Sequence, residues 1–220
     1  MKYVWVYLVL FAINVLIALA VYTWVPEYRP HFLMEDRLVE NLTAFFYVGA
    51  FILALVFVFR SKEHQRALIV ISAVALLGFL DEMSFGQRLF GLNMPHIHGI
   101  RIDAAHDFFF LGYISIRKYV LPHTTLVYSL IGIGAISAVM VTLKCRSKII
   151  GTFTGSHHKE AYILASIFVC LGLFALVLDL DIVPYRITPL LEEIFEMNAA
   201  IALIFCSLSL LQFCHPSEGI

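Results

Sequence analysis

The sequence predicts an all-α membrane protein, a polytopic transmembrane bundle of about six spanning helices with one further interfacial or re-entrant helix. Of its 220 residues, 61% are hydrophobic and only 14% are charged, whereas ordinary soluble domains carry about 25% charged residues. A soluble domain cannot hide that much apolar surface, because folding leaves a large share of a chain's area exposed. The length favours a single integral membrane domain over residues 1–220.

Six apolar segments are candidates for spanning helices, because crossing a bilayer takes about 20 mostly apolar residues. The first carries Lys2 ahead of its apolar run, as a signal peptide does, but the run is long for that role and we expect it to span. The third is the shortest, since it stays purely apolar only over residues 67–80. The six segments are residues 3–25, 38–59, 67–80, 120–143, 161–178 and 190–213.

A longer polar stretch separates the third segment from the fourth. It runs from Asp81 to Lys118 and becomes helix-like from about Ile102 to Ile116. One side of this helical pattern is apolar, which indicates a short helix that lies along the membrane interface or dips into the bundle.

Acidic residues lie almost entirely on one side of the predicted bundle. Six spans place both termini on the other side, and the basic residues divide nearly evenly between the two sides. The positive-inside rule then favours cytoplasmic termini in a bacterial inner membrane. No basic stripe points to nucleic acid, so the expected partners are the lipid bilayer, a lipid-like substrate and a membrane protein. The acids on the side of the termini are Glu63, Glu160 and Glu218.

Acidic residues lie near the starts of two predicted helices. The helix dipole is the simplest explanation for their position. Glu40 lies near the start of the second helix, and Glu192, Glu193 and Glu196 lie near the start of the sixth. Carboxylates in a first turn gain roughly 0.3–1 kcal/mol each from the positive end of the dipole. Glu40 and Glu196 fit this explanation less well, because they sit a turn deeper, beside the apolar run.

Asp81 and Glu82 need a different explanation, because they follow the third helix at its negative end. The apolar run before them spans about 21 Å at 1.5 Å per residue, short of the roughly 30 Å hydrocarbon core. Intramembrane carboxylates are costly and normally face a cavity or a partner. A continued helix would place Asp81, Ser84 and Arg88 on one face. That face predicts either a bracing Asp81–Arg88 ion pair or a functional site, and we favour the site.

A second candidate site lies in the polar stretch. Asp103, His106 and Asp107 would share one face of a helix, and metal sites use a carboxylate and an imidazole at this spacing. His98, two residues after His96 in the preceding loop, could add a ligand. The alternative is the polar face of an interfacial helix. Histidines at i and i+2 can ligate zinc from a strand or a loop, so zinc is the candidate cofactor. No dinucleotide, P-loop or HExxH fingerprint is present.

Several of these stretches resemble a group of bacterial multi-pass membrane proteins. Residues 80–91 are similar to their signature E-E-I-S-W-G-Q-R-[IL]-[FL]-G, and residues 35–44 to E-D-x-x-[IV]-E-x-L-T-A. Residues 191–196 are similar to L-E-E-x-x-E, and His106-Asp107 matches N-L-H-[ND] with Ala104 in place of the asparagine. The group has no established activity. The resemblance implies one site formed by Glu40, Glu82, Ser84, Gln87, Arg88, His106 and Glu196.

A looser analogy links the chain to the alkaline ceramidase-like membrane hydrolases. Those enzymes arrange intramembrane histidines, an aspartate and a serine around zinc. This chain lacks their set of three histidines within spanning helices and is one predicted helix short. The analogy is one of architecture and does not assign an activity.

Two classes of function remain open from the sequence. The first is a hydrolase or transferase acting on a lipid-like substrate, either metal-dependent or acid–base. Zinc would be held by His106 with Asp103 or Glu82, and by His98, while a buried carboxylate of Glu40, Glu82 or Glu196 would act as general base. Arg88 would hold a phosphate or an oxyanion. The second class is a non-catalytic subunit of a larger membrane complex, or a transport element.

Overall fold

The protein is all-α in the computed structural model, apart from one minimal hairpin among the described residues. The described residues are 1–25, 27, 38–84, 90, 91, 93, 95–97, 100, 101, 106–115, 118, 129, 133, 159–179 and 187–211. They fall into two compact units, one formed by Met1–Met83 with Gly155–Ile220 and the other by Ser84–Thr154. The helices are α1 (Lys2–Trp24), α2 (Leu38–Val58), α3 (Gln65–Glu82), α4 (His106–Ser115), α5 (Lys159–Asp179) and α6 (Thr188–Leu211).

Four of these helices are long and apolar enough to cross a bilayer, which confirms the prediction of a helical membrane protein. They are α1, α2, α5 and α6, and their bounds differ from the predicted segments by at most a few residues. The count of six is not confirmed by the described residues. The third segment forms α3, an 18-residue helix with charged residues at both ends. The predicted fourth span, residues 120–143, lies outside the described residues except for Ser129 and Ile133.

Helix α6 is the centre of the first unit. It packs against α5, α2 and α1, and its inward face is lined by small residues that let neighbouring backbones approach closely. Rings of Tyr3 and Tyr7 contact Phe205, while Phe11 contacts Phe195, so α1 and α6 run antiparallel. The fully or almost fully buried small residues of α6 are Ala199, Ala200, Ala202, Ser207 and Ser209.

One end of the first unit, which we call the basic end, is where α1, α3 and α5 begin and where α2 and α6 end. The Met1 amine lies 2.7 Å from Oε1 of Glu160, and the backbone N–H groups of Tyr3 and Val4 donate to the same oxygen. The thiol of Cys206 lies 3.3 Å from the carbonyl oxygen of Ala161. The chain start and Glu160 therefore share a side, as the sequence predicts. We call the opposite end of this unit the acidic end.

Exposed tryptophans mark both ends of α1. Trp5 is 64% exposed and Trp24 is 82% exposed. The two are separated by about 28 Å along the helix axis at 1.5 Å per residue, close to the roughly 30 Å thickness of a hydrocarbon core. Because tryptophans concentrate at membrane–water interfaces, this pair supplies a depth scale for the unit.

The second unit contains the minimal hairpin and α4. Strands β1 (His96–Ile97) and β2 (Ile100–Arg101) pair antiparallel, with His96 opposite Arg101 and Ile97 opposite Ile100. Helix α4 packs against β2 and buries Tyr113. It lies within the helix predicted over residues 102–116.

Candidate functional site

The acids of α6 lie beyond its first turn, which corrects their explanation by the helix dipole. The helix begins at Thr188, so Glu192, Glu193 and Glu196 fall in its second and third turns and no acid lies in the first. The dipole's benefit is confined to the first turn. The Thr188–Pro189 pair was the signal for this earlier start, because proline is favoured in the first helical turn. Glu40 does lie in the first turn of α2.

Glu196 lies about midway between the levels of Trp5 and Trp24 along α1. Asn14 is almost midway between Trp5 and Trp24 along α1, and its side chain hydrogen-bonds that of Asn198. The Phe11 ring of α1 contacts the Phe195 ring of α6. Glu196 lies between Phe195 and Asn198 in the chain, so these two contacts fix its level along α1. A carboxyl group at this depth is costly, so its presence is a reason to expect function.

Tyr47 of α2 lies near residues of both α3 and α6. The sequence analysis did not identify it as a site residue. It is 8% exposed, and its hydroxyl lies within electrostatic range of the carboxyl groups of Glu82, Glu196 and Asp81. Helical side chains lean toward the N-terminus of their helix, so this one leans toward the acidic end. Its spacing from Glu40 was the available signal, because the two residues are seven apart and share one face of α2.

Gly78 of α3 makes room for the Tyr47 ring. A Cβ atom at this glycine would lie 2.6 Å from Cε1 and 2.7 Å from Cζ of Tyr47, closer than packed carbon atoms approach. Gly78, Asp81 and Glu82 are spaced i, i+3 and i+4, so the face of α3 that touches Tyr47 also bears both carboxylates. We call Tyr47, Glu82, Glu196 and Asp81 the carboxylate centre.

A buried amide network fixes α1 against α6 beside this centre. The side-chain nitrogen of Asn14 donates to Oδ1 of Asn198 over 3.0 Å, and Nδ2 of Asn198 donates to the carbonyl of Ile194 over 2.7 Å. The Tyr7 hydroxyl donates to the carbonyl of Asn198 over 3.2 Å. Asn198 is fully buried. Hydrogen bonds between helices act as connectors in membranes, so this network sets the position of the turn that carries Glu196.

The predicted catalytic residues divide between the two units. Glu40, Glu82 and Glu196 are half-buried in the first unit, and the carboxyl groups of Glu82 and Glu196 both lie within electrostatic range of the Tyr47 hydroxyl. The predicted helical face of Asp81, Ser84 and Arg88 is wrong, because α3 ends at Glu82 and Ser84 adopts a φ of 48°. Arg88 lies outside the described residues, so its predicted roles stay predictions.

The predicted metal ligands are not tested by the described residues. His106 opens α4, whereas Asp103 and His98 lie outside the described part of the chain. His96 is exposed on β1. Within the described ranges, no group of three histidine, cysteine, aspartate or glutamate side chains is arranged to hold a metal ion.

The chain matches no family model, no curated protein and no solved structure. Its resemblance to the bacterial multi-pass proteins therefore stays a prediction.

Proposed function

We propose that this integral membrane protein is a hydrolase or transferase that acts on a lipid-like substrate at its carboxylate centre. The observation that carries the proposal is that the carboxyl groups of Glu82 and Glu196, from two different helices, both lie within electrostatic range of the buried Tyr47 hydroxyl. A single carboxyl group inside the bundle need not have a functional explanation. Acids brought from separate helices to one phenol need a reason, because each is costly in the apolar interior.

The chemistry proposed for the carboxylate centre is acid–base catalysis. A positioned carboxylate can take a proton from water or from a substrate hydroxyl, and this contributes typically 10²–10⁴-fold to a rate. Glu82 or Glu196 would act as the base, and Tyr47 would donate a hydrogen bond to the carboxylate it faces. Glu40, on the same face of α2, would line the approach. Many large apolar side chains of the helices are exposed, so a lipid tail would approach from the bilayer.

A zinc site in the second unit is part of the proposal. His106, Asp103 and His98 would supply three protein ligands, and a fourth position would hold water, which zinc activates near neutral pH. We also propose that the chain spans the membrane six times, with residues 120–143 as the fourth span. Both termini would lie in the cytoplasm.

A proton or cation pathway along the α1–α6 seam is less favoured than an enzyme. Among the described residues of this seam, the polar network around Asn198 extends toward the basic end as far as Tyr7. Beyond it the Phe205 ring lies 6.1 Å from the Tyr7 ring and 6.3 Å from the Tyr3 ring, centroid to centroid. Aromatic rings therefore occupy the seam between this network and Glu160.

Lipid analysis of cells that overproduce the protein tests the activity. Wild type should change the abundance of one lipid class, and the purified protein should reproduce that change in bilayers containing the lipid. Glu82→Gln and Glu196→Gln should each slow turnover about 100-fold or more, the range expected for a lost general base. The matched control is Glu63→Gln, an exposed acid at the basic end, which should leave turnover unchanged.

Full turnover by Glu82→Gln and Glu196→Gln would overturn the assignment of the carboxylate centre. A wild-type protein that alters no lipid and co-purifies with a stoichiometric membrane partner would instead identify a subunit of a complex. Metal analysis decides the zinc part separately. Zinc absent from wild type, or undiminished in His106→Ala, would remove the metal and leave the acid–base reaction.

A further inference from the structure

The basic end of the first unit presents cations from three separate places. The turn between α2 and α3 brings Arg60 and Lys62 to this end, and the first turn of α3 adds Arg66. The Met1–Glu160 contact places the starts of α1 and α5 beside each other, which adds two lysines. The exposed cations of this end are Lys2, Arg60, Lys62, Arg66 and Lys159.

The acids at this end do not cancel these charges. Glu160 is buried, and one oxygen of its carboxylate already accepts from the N–H groups of Tyr3 and Val4 and contacts the Met1 amine. Its charge is therefore directed into the protein. Glu63 is the one exposed acid among the described residues of this end. The described residues of this surface therefore carry more positive than negative charges.

Aromatic side chains place these cations at the level of lipid headgroups. Trp5 is exposed at the start of α1, and Phe59, 82% exposed, directly precedes Arg60. Lys2 lies about 4.5 Å further out along α1 than Trp5 at 1.5 Å per residue. Interfacial aromatics with basic side chains just beyond them are the arrangement that anchors a protein at a membrane surface.

We propose that the basic end is a binding surface for the anionic phospholipid headgroups of the leaflet it faces. The cations are spread over one α2–α3 turn and three helix starts, so they match a charged plane better than a compact pocket for one small anion. Each lysine or arginine near an anionic leaflet strengthens the association about fivefold. Anionic lipids are enriched on the cytoplasmic leaflet, so the same surface would hold this end in the cytoplasm.

The test uses the full-length protein in bilayer nanodiscs formed from an equimolar mixture of phosphatidylglycerol and phosphatidylcholine. The lipids retained around the protein are counted by mass spectrometry, and empty nanodiscs give the reference ratio. Wild type should be enriched in phosphatidylglycerol. In the triple variant Arg60→Gln, Lys62→Gln, Arg66→Gln, the preference for phosphatidylglycerol should be at least about tenfold weaker than in wild type. Raising the salt concentration should weaken the wild-type preference, because salt screens exposed charges.

Glu63→Gln is the matched control, since it removes the opposite charge from the same turn and should strengthen the preference. Melting temperatures in pure phosphatidylcholine should agree for all variants, which separates lipid binding from misfolding. A second variant, Lys2→Gln with Lys159→Gln, should weaken the preference if the triple variant misfolds. The proposal is overturned if wild type shows no preference, if a folded triple variant keeps it, or if soluble glycerol phosphate competes as well as the lipid.

Discussion

The Tyr47 ring lies directly against Gly78, where a Cβ atom would come within 2.6 Å of the ring carbon Cε1. This contact joins α2 to α3 beside the hydroxyl that lies within electrostatic range of Glu82 and Glu196. Because the ring is buried and the glycine is part of a helix, neither side has room to retreat. The position of the phenol hydroxyl is therefore tied to the absence of a side chain at residue 78.

Gly78→Ala should destabilise the protein by about 1–3 kcal/mol, the usual cost of overpacking a tight contact. Gly172→Ala is the matched control, because a Cβ there meets nothing within 4 Å, and it should be neutral or stabilise slightly. Unfolding of the purified variants in detergent measures both. Combining Gly78→Ala with Tyr47→Leu should recover part of the loss. Equal stability of the two alanine variants would contradict the close packing.

Tyr47→Phe should keep the ring contact and remove only the hydroxyl. A hydrogen bond to a charged group contributes about 1.5–3 kcal/mol, so turnover of the lipid substrate should fall about tenfold to 100-fold. Tyr162→Phe, on α5 near the basic end, is the control and should retain wild-type turnover. Reaction rates in bilayers of the substrate lipid are the measurement. A fully active Tyr47→Phe variant would show that the phenol serves packing alone.

The Asn14–Asn198 hydrogen bond should have a measurable coupling energy. Such bonds between membrane helices contribute about 0.6 kcal/mol on average and up to about 2 kcal/mol. Asn14→Ala, Asn198→Ala and the double variant form the cycle, with stability measured by unfolding in detergent micelles. The two single losses should sum to more than the loss in the double variant. Strict additivity would mean that the amides do not interact in the folded protein.

Ser84→Gly should stabilise the protein by about 1 kcal/mol, because a φ of 48° is strained for serine and open to glycine. Ser84→Ala removes the hydroxyl without relieving the strain, so it should give no such gain. The comparison also tests the role predicted for this hydroxyl. The hydroxyl would belong to the site if both variants lose turnover while only Ser84→Gly gains stability. Lower stability of Ser84→Gly would contradict the strained backbone.

Hydropathy alone was enough to predict the helical membrane architecture. Spanning helices must satisfy every backbone group internally and present apolar side chains to lipid, so their length and composition are visible in a linear sequence. The first segment, predicted over 3–25, is observed as Lys2–Trp24, and the fifth, predicted over 161–178, as Lys159–Asp179. The same reasoning identified Glu82 as an acid at the disfavoured end of its helix.

The tertiary structure alone decided which residues form the carboxylate centre. Tyr47 and Gly78 are apolar-looking positions in apolar runs, and only the packing of α2 on α3 gives them a role. The depth of Glu196 depended on the pairing of Asn198 with Asn14, a contact between residues far apart in the chain. Sequence determines what each helix can tolerate in lipid, whereas the meeting of side chains depends on which helical faces pack together.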